Sequence, residues 1–143
     1  MTNVDPEVVK DFGDEWAAYT QNELTDAELE IAFNQYFGIF PFRDLKPDAV
    51  GFDMGCGSGR WAYFVAQRVG ALTCIDPSEK ALAVAKRRLS SMANVRFECA
   101  SVDRVTLAKY SQDFGYCLGV LHHVPDTLSG IMACAELLKS GAP

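Results

Sequence analysis

The stretch Val50-Gly51-Phe52-Asp53-Met54-Gly55-Cys56-Gly57-Ser58-Gly59-Arg60 constrains the fold of this chain more than any other. A short apolar run delivers one acid, and three glycines then alternate before a helix-forming segment opens. Glycine is called for where the backbone takes positive φ or must approach a neighbour closely. Such a bend between strand and helix needs a second strand to complete the unit. The following residues supply it in a regular rhythm. Strands are expected at 49–54, 71–75, 95–99 and 114–118. Helices are expected from about Gly59 to Val69, and after Ser78 with Ala81, Leu82, Ala85 and Leu89 on one face. A short turn or helix near 102–109 comes next. A last helix, capped by Asp126, carries Leu128, Ile131, Met132, Ala135 and Leu138 at helical spacing, with Gly141 where a stop belongs. Strand and helix in alternation imply an α/β fold, with a parallel sheet, right-handed crossovers and helices on both faces.

Charge divides the chain. Residues 1–50 hold 11 acids and 3 bases, whereas residues 51–143 hold 8 acids and 10 bases. We therefore expect an acidic N-terminal helical cap over 1–47 and a core over 48–143. Within the cap, Trp16 and Tyr19 share a helical face. Thr25-Asp26-Ala27-Glu28 forms a capping box ahead of a stripe of Leu29, Ala32, Phe33, Tyr36 and Phe37, which Gly38 ends.

The net charge of -6 argues against a nucleic-acid-binding domain. No apolar run approaches the ~18 residues of a membrane span. The first residues lack the basic-then-apolar order of a secretory leader, so a cytoplasmic protein is expected. The five cysteines, Cys56, Cys74, Cys99, Cys117 and Cys134, are odd in number and form no CxxC. Reduced thiols are the expectation, and neither a disulfide framework nor a metal site.

Asp76 follows the glycines at the end of the second strand, where a carboxylate can accept from ribose hydroxyls. A nucleoside-containing cofactor over the ends of the first two strands fits this pattern. A dinucleotide site uses G-x-G-x-x-G, but here the third glycine comes one position early. Asp53 at the mouth of the bend would also repel a pyrophosphate. It suits the ammonium and sulfonium of S-adenosylmethionine (SAM). Charge thus favours SAM over NAD, and a nicotinamide-dependent oxidoreductase remains the rival.

These residues, with Ile75-Asp76-Pro77-Ser78 and the segment from Asp113 through Leu118-Gly119-Val120-Leu121-His122-His123-Val124-Pro125 to Asp126, resemble class I SAM-dependent methyltransferases. The group in question includes quinone-biosynthesis and small-molecule enzymes. The resemblance runs from roughly Phe37 to Gly141 and implies a Rossmann-like sheet with the present strands in the order 3-2-1-4. It implies that Asp53 and the bend Gly55, Cys56, Gly57, Ser58 and Gly59 hold the methionine end of SAM. Asp76 would bind the ribose, with Pro77 and Ser78 flanking the adenine, and the backbone of Leu118 would face the ammonium. Phe12-Gly13-x-x-Trp16-x-x-Tyr19 is similar to a lid segment of some members.

Two departures stand out. The family commonly has an acid after the third strand to receive the adenine amino group. Ser101 stands there instead, with Val102 offering backbone and packing. The chain also stops where a fifth strand would begin. A fragment is therefore expected, with strand four as an exposed edge whose unpaired backbone favours self-association.

The expected reaction is direct methyl transfer to an O, N or C nucleophile of a small-molecule acceptor. Catalysis would come from alignment at ~3–3.5 Å, without a metal. His122 and His123 are the candidate bases. Neighbours point different ways, so one at most faces the cleft. As a packing pair, His122 would line it and His123 would pack or cap the loop. A non-catalytic SAM-binding module is the alternative. Trp16 and Tyr19 read as packing, Lys86-Arg87-Arg88 as a solvated face, and Cys56 as a small loop residue.

Overall fold

The computed structural model describes residues 2–18 and 25–143; Tyr19 lies outside them. Helix α1 (Pro6–Ala18) comes first, then α2 (Asp26–Phe37) and a 3-10 turn (Phe42–Asp44). The core follows as β1 (Val50–Met54), α3 (Ala62–Ala66), β2 (Ala71–Asp76), α4 (Glu79–Arg88), β3 (Val95–Cys99), β4 (Phe114–Tyr116) and α5 (Thr127–Leu137). All four strands are parallel, as the sequence rhythm implies, and stand in the order β3-β2-β1-β4 that the resemblance implies.

Alternation along the strands sorts side chains to the two faces. Leu72, Cys74 and Phe114 meet Phe33 and Phe37 of α2, Phe64 and Val65 of α3, and Leu82 and Ala85 of α4. On the opposite face Phe52, Met54 and Ile75 meet Val102 and Leu137. Glycines let β1 and β4 interlock. A Cβ on Gly51 would lie 2.5 Å from the Phe114 ring, and one on Gly115 would lie 2.3 Å from the Phe52 ring. Each phenylalanine thus covers the glycine of the adjoining strand.

Local caps form as expected. Thr25 and Glu28 make both bonds of the capping box, Ser78 accepts from Ala81 N–H, and Asp126 accepts from Ser129 N–H. Of the short turn or helix expected near 102–109, the chain forms the turn. Two other expectations are corrected. Helix α3 begins at Ala62 and not at Gly59, because Gly59 has φ +74°, outside the helical region. Helix α5 ends at Leu137, ahead of Gly141, because Leu138 turns extended and bridges Gln112 in parallel fashion.

That same excursion changes the edge of β4. Lys139 N–H donates to Gln112 O, and Gly115 N–H donates to Pro143 O at 3.0 Å. The outer edge expected to be bare is therefore partly bonded by the chain's own tail. The apolar faces of β4 are covered as well, with Phe114 fully buried.

Candidate functional site

The glycine bend is bonded to the strand beside it. Gly55 N–H donates to Ile75 O at 2.7 Å, and Cys56 N–H shares the same acceptor at 3.0 Å. Gly55, Gly57 and Gly59 have φ of +79°, +53° and +74°, a region costly for residues bearing a Cβ. Asp76 closes the bend onto the start of α4. One of its oxygens accepts from Gly57 N–H and the other from Ser78 N–H, both at 2.9 Å. Burial pushes the Asp76 carboxyl above its ordinary value, and these two donors partly offset that.

One cleft runs along the carboxyl ends of the strands. Of the expected site residues, Gly55, Asp76, Pro77, Ser78, Ser101, Val102, Leu118 and His123 line it. His122 does not, so the expected orientation of the two imidazoles is reversed. The Phe12 ring packs edge-on against His123 at 4.8 Å and helps to hold it there.

Asp53, Cys56, Gly57, Ser58 and Gly59 lie beneath or beside the cleft and do not form its wall. Asp53 is only 3% exposed. Its carboxylate accepts from the Tyr116 hydroxyl at 3.0 Å. Burial pushes the Asp53 carboxyl up to about 7; the Tyr116 bond opposes the rise and the charge of Asp76 adds to it. Cys56 is buried, and the adjoining Cys74 thiol, burial and Asp53 all drive its proton affinity up. It therefore stays a thiol, in keeping with a packing role. Ser58 leaves a buried hydroxyl with no partner among the described residues.

The third wall comes from the N-terminal segment. Val4, Val8, Val9, Phe12 and Trp16 line the cleft. A Cβ on Gly57 would lie 3.1 Å from the Trp16 indole, so the indole lies close over the bend. Helix α1 packs on α4, and Gly13 permits the approach to Ser78. Lys80 pairs with Asp14 across the junction. Sequence reasoning included the Trp16 face but missed the residues before Phe12. The available signal was Asp5 ahead of Pro6, since the Asp5 carboxylate accepts from Glu7 N–H and Val8 N–H as an N-cap.

Asn3 clamps this segment to both loops beside it. Its backbone N–H donates to Asp103, while its side-chain amide donates to Asp126 O at 2.7 Å and accepts from Asp126 N–H at 2.9 Å. Ser101 in turn donates to the other Asp103 oxygen at 2.6 Å. Burial works against the Asp103 charge, but the Ser101 and Asn3 donors outweigh it and hold its carboxyl low. We expect Asn3→Ala to cost about 1–2 kcal/mol, because it frees two bonds and strands the Asp126 N–H. Faster amide exchange across 6–18 would register the loosened segment.

Residues 52–141 match the Methyltransferase domain family. A ubiquinone biosynthesis O-methyltransferase of Nitrosospira multiformis is 38% identical over 116 residues, covering 71% of this chain and 48% of its own length. The enzyme of the same name from Idiomarina loihiensis is 30% identical over 151 residues, covering 97% of this chain and 58% of its own length. The chain thus spans about half the length of these curated relatives. Among solved structures, a SAM-dependent methyltransferase from Aquifex aeolicus superposes with a TM-score of 0.64 at 20% identity, covering 95% of this chain and 68% of that one. Haemonchus contortus phosphoethanolamine N-methyltransferase 1, in complex with phosphoethanolamine and S-adenosylhomocysteine, gives 0.72 at 17% identity, covering 95% and 31%. At these identities the structures speak for the fold. Among the described residues, no helix is long and apolar enough to cross a membrane.

Proposed function

The chain belongs to the Methyltransferase domain family, and on that footing we propose that it takes part in methyl transfer from SAM to a small-molecule acceptor. The carrying observation is the glycine bend, bonded to the end of β2, with Asp53 beneath it and Asp76 in the cleft wall. When bound, SAM supplies a methyl group activated on a sulfonium.

The residues present fit such a ligand. Asp76 binds the Gly57 and Ser78 N–H groups and keeps further lone pairs for the ribose hydroxyls. The Ser101 hydroxyl gives its hydrogen to Asp103, which leaves its oxygen to accept from the adenine amino group. Pro77, Val102 and Val9 supply apolar wall beside it. The Asp53 charge favours the cationic end. Gly55 and Gly57 let Val120 and the Trp16 indole close onto the bend, and the Ser58 hydroxyl, without a partner among the described residues, offers one more polar contact.

Apart from Asn3 and Asp5, the remaining wall is largely apolar, from Val4, Val8, Phe12, Trp16, Val120 and Val124, and it shields the reacting atoms from water. The names of the relatives support an oxygen acceptor. Where such an acceptor must lose a proton, His123 is the base in reach, since it lines the cleft and His122 does not. Free cysteines at every position support a reducing, cytoplasmic setting.

Calorimetric titration with SAM and with NAD tests the reading. SAM should bind and NAD should not; binding of NAD alone would overturn it. Turnover with a phenolic acceptor distinguishes an enzyme from a module that only binds. Asp76→Ala should weaken SAM binding by roughly 1–3 kcal/mol through the lost ribose bonds.

A further inference from the structure

Asp53 and Tyr116 are register partners on the adjoining parallel strands β1 and β4. Their side chains therefore rise on the same face, and the phenol reaches the carboxylate at 3.0 Å. The Tyr116 ring is held in turn by Phe37 of α2, edge-on at 5.1 Å and 89°. Among the described residues, this phenol is the one side chain that hydrogen-bonds the carboxylate.

The other titratable groups acting on Asp53 give it no support. Asp76 at the end of β2 repels its charge. Cys56 in the bend and Cys117 after β4 face it as neutral thiols whose own ionisation it opposes. No cation acts on it among the described residues. Burial also keeps Tyr116 protonated, since it and the Asp53 charge push the phenol well above its ordinary value. The phenol is thus a permanent donor.

We propose that Tyr116 is a positioning residue for the methyl donor: its hydroxyl aims the Asp53 carboxylate and favours the ionised form that a cationic ligand requires. The inference rests on the reading of Asp53 as the seat of SAM's positive end. An O–H donor binds a carboxylate more strongly than a carboxylic acid, so its loss raises the proton affinity of the acid. With Tyr116 present, the Asp53 carboxyl titrates at about 7 in the ligand-free chain. Below that pH, SAM must displace a proton to enter. SAM affinity therefore falls as pH drops through this range.

The test measures the SAM dissociation constant from pH 5.5 to 9 for the chain and for Tyr116→Phe. The free ligand's own amine titrates identically for both. Tyr116→Phe should lose affinity roughly 5- to 50-fold at pH 7, a deficit that shrinks to about twofold or less by pH 9. Carboxyl NMR of the ligand-free chain should show the Asp53 inflection moving upward in the same variant. A lost bond of merely structural value would lower affinity equally at every pH, and that result overturns the proposal. Should Tyr116→Phe fail to fold, 3-fluorotyrosine at position 116, a stronger donor, should move the inflection downward; an unmoved one overturns the proposal. Asp53→Asn separates the two levels. If that variant binds SAM undiminished, the underlying reading of Asp53 fails. If it loses SAM while Tyr116→Phe shifts neither curve, the Tyr116 inference alone fails.

Discussion

Asp53→Asn should lower SAM affinity by about 2–5 kcal/mol at pH 8, roughly 30-fold to several-thousand-fold. The amide keeps the shape of the carboxylate and still accepts from Tyr116, so the loss isolates the charge. The same substitution should stabilise the ligand-free chain. Asp53 holds its proton more tightly folded than unfolded, because burial raises its carboxyl from 3.8 to about 7. Below the unfolded value both states are protonated and the fold carries no penalty. As pH rises towards 7 the buried group must ionise, and on the order of 4 kcal/mol of stability is lost. Asparagine never ionises and avoids that loss, although its unsatisfied N–H groups return part of the gain. Urea unfolding should therefore show Asp53→Asn ahead of the parent at pH 8 by about 1–3 kcal/mol, with no advantage near pH 4. A variant that is less stable at both pH values would contradict the strained-carboxylate account. Affinity and stability moving in opposite directions mark a group kept for its ligand.

The parts of this molecule that rest on local rules were legible in the sequence. Gly55, Gly57 and Gly59 announce a bend because only glycine takes those angles cheaply, and all three take them. Thr25, Ser78 and Asp126 announce helix starts because their side chains satisfy nearby N–H groups, and each does so. Strand order followed from the βα rhythm and the resemblance together. The parts set by packing at long range were not legible. Strand order places β4 beside β1, but the register that sets Tyr116 against Asp53 depends on which ring fits over which glycine. The choice of His123 over His122 depends on Phe12, more than a hundred residues away in the chain. Asn3 looks like an ordinary polar residue near a terminus until its bonds to Asp103 and Asp126 are seen. Even Ser101, a weaker acceptor than the expected acid, takes its orientation from Asp103, which Asn3 helps to hold. The candidate site is therefore half motif and half enclosure, and only the motif is written in consecutive residues.

Gly55→Ala joins those halves and should cost about 2–5 kcal/mol in unfolding free energy. Two separate terms contribute. Gly55 has φ +79°, which an alanine adopts only at about 1–2 kcal/mol. Its new Cβ would also lie 2.3 Å from Cγ2 and 2.8 Å from Cγ1 of Val120, on the segment after β4. Such a clash costs typically ~1–3 kcal/mol, because packed neighbours yield little. The bend is anchored to Ile75 and cannot retreat, so the post-β4 segment must move. Gly55, Leu118 and Val120 all line the cleft, so SAM affinity should fall along with stability. Val120→Ala in the same chain separates the terms. It removes both offending methyl groups but leaves the backbone angle unchanged. The double variant should thus recover most of the clash term, since only the Cβ at position 120 stays close, at 3.0 Å, and retain a deficit of about 1–2 kcal/mol. Full recovery would mean that the left-handed angle is free to alanine here; no recovery would mean that Val120 was never the obstacle. Denaturant titration of the parent, both single variants and the double variant gives the coupling directly, because the two positions touch and their effects should not add.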